Sequence, residues 1–218
     1  MHGENIGYAY GFWGAVIFNI VLFLVFALTF LVPKGKVEWR TFGMFTAFLV
    51  ALFTEMFGIP LTIYILISIM GKGYPAANPF SHPAGHLLLT FLGLETSRLA
   101  FMLNHLISNG MIFAGFYIMS IGWKKIYTGA KQGTLVTDGI YSHIRHPQYL
   151  GLYMITIGLL IQWPTIITLL MEPFLLVAYY RLAMREEKEM EKAFGDEWRR
   201  YRERTPAFIP KLGQRRPQ

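Results

Sequence analysis

Long apolar runs, broken by Gly, Pro and short basic stretches, dominate the pattern of this chain. Tyr10 to Val32 reads YGFWGAVIFNIVLFLVFALTFLV, with Asn19 its one strongly polar side chain. A bilayer core of roughly 30 Å needs about 20 helical residues to cross it, so this run predicts a spanning helix. A cleaved signal segment opens with basic residues. Here the first ten residues hold no Lys or Arg and the run ends at Pro33-Lys34-Gly35-Lys36, so the helix is expected to be retained. Thr41 to Met70 is apolar but interrupted by Glu55, Gly58 and Pro60. As one helix it would reach about 45 Å, so a kink at Gly58-Ile59-Pro60 or a tilted helix with an interfacial extension is expected. Gly71 to Gly85 is dense in Gly and Pro and predicts a loop. His86 to Asn104 is apolar yet carries Glu95 and Arg98, which suits a place in the interface or inside the protein. Leu106 to Trp123 can span, and Tyr149 to Trp163 with Thr165 to Tyr180 predicts a hairpin hinged at Trp163-Pro164.

Composition agrees: 54% of the 218 residues are hydrophobic and 15% charged, against roughly a quarter charged in soluble domains. There is no Cys, which removes disulfides, thiolate catalysis and Cys metal sites. The net charge of +7 is a matter of topology. With the N-terminus outside, the inner segments 33–40, 123–147 and 181–218 hold three, four and eleven Lys/Arg, 18 of the chain's 20. That asymmetry predicts an all-α polytopic membrane protein of about five transmembrane helices, N-out and C-in, with no nucleic-acid partner expected. In a prokaryote the location would be the cytoplasmic membrane, with function on its cytosolic side.

The segment 123–151, WKKIYTGAKQGTLVTDGIYSHIRHPQYLG, carries the chemistry. Thr137-Asp138-Gly139 is a turn signal, and Pro147 suits the first turn of a helix because its missing N–H would be unpaired there anyway. Arg145 and His146 therefore sit at a helix N-terminus, where free N–H groups and the dipole favour a carboxylate or phosphate. The competing reading makes them interfacial anchors. A second inner cluster, Arg181 to Glu189, continues the last membrane helix. Beyond it Met190, Phe194, Trp198 and Tyr201 form an apolar stripe opposite a charged face, the pattern of an amphipathic helix on the membrane.

Together these clusters resemble the isoprenylcysteine carboxyl methyltransferase and phospholipid methyltransferase superfamily of integral membrane methyltransferases. The matching series is Gly133-Thr134-Leu135-Val136, Gly139-Ile140-Tyr141 and Arg145-His146-Pro147-Gln148-Tyr149-Leu150-Gly151. It continues through a helical hairpin to Glu186-Glu187, Phe194-Gly195-Asp196-Glu197-Trp198, Tyr201 and Phe208-Ile209-Pro210, covering roughly 110–211. The resemblance divides the chain into an N-terminal transmembrane region of unassigned role (1–109), a methyltransferase core (110–211) and a basic tail (212–218). It implies that Gly133, Thr134, Leu135, Val136, Tyr141, His146, Pro147, Gln148 and Tyr149 hold S-adenosyl-L-methionine, with Glu186 completing the pocket at the cofactor's ammonium group. It also implies an arginine near the end of the last helix that orients the acceptor. The family spacing puts that position at Leu182, so Arg181 or Arg185 would have to serve, and the acceptor is open on this point.

Methyl transfer from a sulfonium is an in-line displacement whose main demands are alignment and dehydration. A carboxylate acceptor needs orientation and no base, whereas thiols near pKa ~8.5 and ammonium groups near ~10 must first lose a proton. Arg145, Arg181 and Glu172 are therefore the candidate catalytic residues. Glu172 and Glu55 lie inside predicted membrane helices, where acids are costly and default to functional candidates. Either is a base or a protonated acid hydrogen-bonded between helices. His82 and His86, four apart in a Pro-rich loop, show no third ligand, and no metal site is expected. Glu95 and Arg98 read as a local ion pair. The expected activity is methyl transfer to a lipophilic or lipid-modified acceptor reached from the membrane lipids, closest to isoprenylcysteine carboxyl O-methylation. A phospholipid amine, a small thiol, or a non-enzymatic binding or transport role on the same fold are the alternatives.

Overall fold

The structure, a computed structural model, describes residues 10–76 and 78–210. The described residues form helices α1 (Trp13–Phe30), α2 (Lys36–Phe53), α3 (Leu61–Met70), α4 (Leu87–Phe91), α5 (Arg98–Gln132), α6 (Pro147–Gln162) and α7 (Ile166–Arg204), with no strand among them. Short 3-10 turns occupy Gly71–Gly73, His82–Gly85 and Gly139–Ser142. Among the described residues four helical stretches are long and apolar enough to cross a bilayer: Trp13–Phe30, Lys36–Gly58, Arg98–Gln132 and Ile166–Phe194. The sequence pattern suggested a further crossing over Tyr149 to Trp163. That segment is α6, whose 16 residues reach about 24 Å, short of an upright crossing of roughly 30 Å.

The surface confirms the solvent. In α1 only Val16, Phe23 and Ala27 are buried, while Ile17, Phe18, Val21 and Val25 stand exposed. Contiguous apolar faces of this kind are rare on soluble monomers and are what lipid contact requires. In α5 the same holds for Leu106, Phe113 and Tyr117.

The chain divides into two compact units, one of residues 1–112 and 156–175, the other of 113–155 and 176–218. In the first, the expected break falls at Gly58-Ile59-Pro60. Helix α2 widens into a π turn over Thr54–Gly58, Ile59 turns extended, and α3 starts after Pro60. A residue before proline is pushed out of the α region, which ends the first segment there. The restart leaves orphan N–H groups, and the Glu55 carboxylate caps one of them, accepting from the Thr62 N–H at 2.7 Å. The start of α1 leans on the same turn, with Gly11 and Phe12 N–H groups donating to the Gly58 and Phe57 carbonyls.

In the second unit α5 and α6 touch backbone to backbone. A Cβ on Gly115 would lie 2.6 Å from the Gly151 carbonyl oxygen, and one on Gly151 would lie 2.7 Å from that of Gly115. Paired small residues permit this approach, which packs membrane helices where no hydrophobic driving force exists between them. The lower part of α7 bends at Gly195, whose φ of 52° and ψ of −121° are non-helical. Glycine tolerates a positive φ without the Cβ penalty of other residues. The chain beyond it turns back, so that Arg199 and Arg202 meet Glu191, at 2.8 and 3.4 Å.

Candidate active site

The site lies in the second unit and begins where α6 begins. Pro147 supplies the first helical residue, and Arg145 and His146 precede it. Their backbone N–H groups donate to the Pro206 and Ala207 carbonyls at 2.9 and 3.0 Å, so the chain after α7 lies along the start of α6 as a strap. Gly195 makes this possible by turning 196–204 back towards the helix start.

The side chains reinforce the strap. Arg145 donates Nε–H and Nη2–H to Oε1 of Glu187 at 2.9 and 2.7 Å, and Nη1–H to the Arg202 and Thr205 carbonyls at 2.9 and 2.5 Å. His146 Nε2 meets the same Glu187 oxygen at 2.8 Å. The three side chains are 11%, 6% and 9% exposed. An ion pair so far from water is held by geometry, because each lost partner would strand a charge. The Arg145 fork is thus directed at this chain's own groups, and it pins α6, α7 and the strap together.

Beside this knot, Tyr149 donates its hydroxyl to Oε1 of the neighbouring acid, Glu186, at 2.6 Å. Tyr149 is buried in the first turn of α6, and its ring faces His146 and Tyr179 at 5.9 and 6.3 Å. Phe208 from the strap covers His146, Tyr153 and Tyr180, with ring centroids 5.4, 5.7 and 6.0 Å apart. Adjacent residues on a helix point about 100° apart. This lets Glu187 serve the knot while Glu186 faces Tyr149.

The loop at the end of α5 completes the setting. Gly133, at φ 64°, ends the helix, and the Thr134 N–H donates to the Gly129 carbonyl at 3.1 Å. Leu135 and Val136 are half-buried and Thr134 is exposed. Asp138 meets Lys125, whose ammonium holds the carboxyl below the usual carboxylate range. Tyr141 is buried; its hydroxyl donates to the Gly122 carbonyl at 3.3 Å, and its own carbonyl accepts the Tyr201 hydroxyl at 2.6 Å. Burial raises both phenols well above their ordinary range.

The structure therefore brings Arg145, His146, Pro147, Tyr149 and Glu186 into one cluster, with Tyr141 tied to it through Tyr201. Arg181 is exposed, Leu182 is buried, and Arg185 pairs with Glu189 at 3.7 Å on the exposed face of α7. Glu172 belongs to the first unit, where Thr156 donates to its Oε1 at 2.8 Å. Sequence reasoning missed the part played by Glu187. The doubled acid was visible, but which member faced α6 depended on the helix's rotation. It also gave Phe208 no role, because its partners are 28 to 62 residues away along the chain.

A family model described as phospholipid methyltransferase matches residues 99–197. A protein-S-isoprenylcysteine O-methyltransferase of Schizosaccharomyces pombe is 29% identical over 144 residues, covering 64% of this chain and 60% of that protein. A cobalt-zinc-cadmium resistance protein of Cupriavidus metallidurans is 34% identical over 112 residues, covering 49% of this chain and 50% of that protein. The chain thus spans between half and three-fifths of the length of these two relatives. The Arg145–Tyr149 turn and the Glu186-Glu187 pair both lie inside the residues that the phospholipid methyltransferase model matches, so over this part the chain is similar to the membrane methyltransferases.

Proposed function

We propose that this protein transfers a methyl group from S-adenosyl-L-methionine to a lipophilic acceptor reached from the bilayer. The observation that carries the reading is the Tyr149–Glu186 hydrogen bond of 2.6 Å beside the start of α6. It sets a carboxylate next to a helix N-terminus, the complement of an amino acid's ammonium and carboxylate groups. The donor set fits the cofactor. Glu186 would take the ammonium, the first-turn N–H groups of Gln148 and Tyr149 the carboxylate, and the Gly133–Val136 loop with Tyr141 would bound the remainder. S-adenosyl-L-methionine, when bound, supplies an electrophilic methyl on a sulfonium.

The residues of this chain then act by placement. Glu187 holds Arg145 and His146, and through them the strap, so Arg145 is a positioning residue in this reading. Phe208, Tyr153 and Tyr180 offer an aromatic wall that excludes water from the acceptor's nucleophilic atom. Transfer to that atom would ask of this chain's residues that they align it with the cofactor's methyl group and keep water away. Arg181, exposed on α7, is the cation available to orient an acidic acceptor.

Isoprenylcysteine-type carboxyl O-methylation is the acceptor chemistry that the S. pombe relative's name suggests. The family model's description favours a phospholipid amine as the second reading. The Lys/Arg distribution supports an inner face made by 33–40, 123–147 and 181–218, with the site on the cytosolic side of the membrane. A radiolabelled-methyl assay against prenylcysteine, phospholipid and thiol acceptors tests the activity and identifies the acceptor. Purified protein is expected to bind S-adenosyl-L-methionine, and Glu186→Ala or His146→Ala to abolish binding. No binding at millimolar cofactor would sink the enzyme reading.

A further inference from the structure

In the first unit, a narrow crevice runs between the α2–α3 break and the turn at Gly85 to Leu87. It is lined by Glu55, Pro60, Thr62, Ile63, Leu87 and Trp163, among others. Glu55 is 4% exposed. Its Oε2 accepts the Thr62 N–H, while its Oε1 has no hydrogen-bond donor among the described residues. The Tyr10 hydroxyl, also buried and unpartnered, makes no hydrogen bond to it. An acceptor left unmade inside a protein costs about 1–3 kcal/mol, more for a charged group, and a π turn such as the one carrying Glu55 is frequent at functional sites.

The neighbouring polar group points the same way. His86, 1% exposed, holds the Gln162 carbonyl with Nδ1 at 2.6 Å. A carbonyl only accepts, so Nδ1 carries the proton and Nε2 is left as a bare acceptor, again without a partner among the described residues. Glu55 Oε1 and His86 Nε2 are thus two buried acceptors without a donor among the described residues. Trp163, whose ring lies 5.0 Å from that of His86, adds an indole that attracts cations. It rests on the bare Cα of Gly85, where a Cβ would come within 1.9 Å of the indole. The crevice admits no water-sized sphere as it stands, so an occupant must displace a lining side chain. Among the described residues no group of three or more His, Cys, Asp or Glu is placed to hold a metal ion.

We propose that this crevice binds the ammonium head of a lipophilic amine, with Glu55 Oε1 as its acceptor and Trp163 as its aromatic wall. An ammonium brings three donors and a charge, where a hydroxyl brings one donor and none. Pro60, Ile63 and Leu87 suit the alkyl chain next to it. The inference is independent of the methyl-transfer reading.

The test is photolabelling of the full chain in phosphatidylcholine nanodiscs by a long-chain primary amine with a diazirine in its tail. Saturable labelling is expected on peptides containing Pro60 to Ile63, Gly85 to Leu87 or Trp163-Pro164. Dodecylamine should displace it, and dodecanol and dodecanoate should not. Glu55→Gln, which keeps an oxygen for the Thr62 N–H, should weaken labelling about tenfold or more. Adding phosphatidylethanolamine to the discs separates the sources: displacement assigns the site to a lipid headgroup, and persistence assigns it to a free amine. Equal displacement by dodecanol overturns the proposal using the native chain alone, and so does an unchanged labelling midpoint in Glu55→Gln.

Discussion

Replacing Glu187 by Ala takes away the one oxygen on which Arg145 and His146 both converge. Three contacts go at once, at 2.9, 2.7 and 2.8 Å. Hydrogen bonds to charged groups are worth about 1.5–3 kcal/mol each, but they share one acceptor and do not add. The better guide is the cost of removing one partner from a buried pair, about 3–5 kcal/mol. Arg145 keeps its bonds to the Arg202 and Thr205 carbonyls, which places the loss near the lower end. On the scale of soluble domains of similar size, 3–5 kcal/mol is a fall of roughly 6 to 20 °C in thermal midpoint. The assay is thermal unfolding of purified protein in detergent, run beside Glu186→Gln. The second variant leaves the knot intact and should hold its midpoint while losing S-adenosyl-L-methionine binding. Double substitution with Arg145→Ala should cost less than the sum of the single changes, since the stranded charge is then gone. Glu187→Ala with a midpoint within about 2 °C of the native chain, a change of less than about 1 kcal/mol, would refute the knot as the strap's anchor.

Other expectations follow from the same geometry. Gly195→Ala places a Cβ at φ 52° and should destabilise by about 1–2 kcal/mol; faster proteolysis between 195 and 210 would show it. Gly151→Leu drives a side chain into the Gly115 carbonyl and Met119, 2.7 and 2.5 Å from where its Cβ must sit, and should cost about 1–3 kcal/mol or prevent recovery of folded protein; size-exclusion chromatography in detergent reads the outcome. Burial pushes both His82 and His86 down to about 4. A histidine depressed in the folded state lends stability that is complete above its unfolded pKa near ~6.5 and is lost as pH falls towards 4, up to about 3 kcal/mol per group. The thermal midpoint should therefore fall between pH 7 and pH 4.5, and His82→Asn with His86→Asn should flatten that slope.

Much of this was legible in the chain itself. The apolar runs gave α1, the Leu106–Trp123 part of α5 and the α6–α7 hairpin, because a bilayer sets a length scale that a sequence must meet residue by residue; that α5 runs unbroken over Arg98–Gln132 they did not give. The break after Glu55 was legible too, since proline removes an N–H and restricts its predecessor wherever it stands. The Arg-His-Pro turn, Tyr149 and the paired acids were recognisable as a series.

What the tertiary structure decided was which groups in that series meet. Glu186 and Glu187 are equivalent in composition, and only the rotation of α7 about its axis gives one to Tyr149 and the other to Arg145 and His146. The strap depends on a single positive φ at Gly195, and Phe208 on partners from two other helical segments. Local chemistry and the length scale of the membrane act along the chain and can be read from it. The choice of partner is made across space, by packing and by the cost of an unpaired buried charge, and it exists only once the helices are in place.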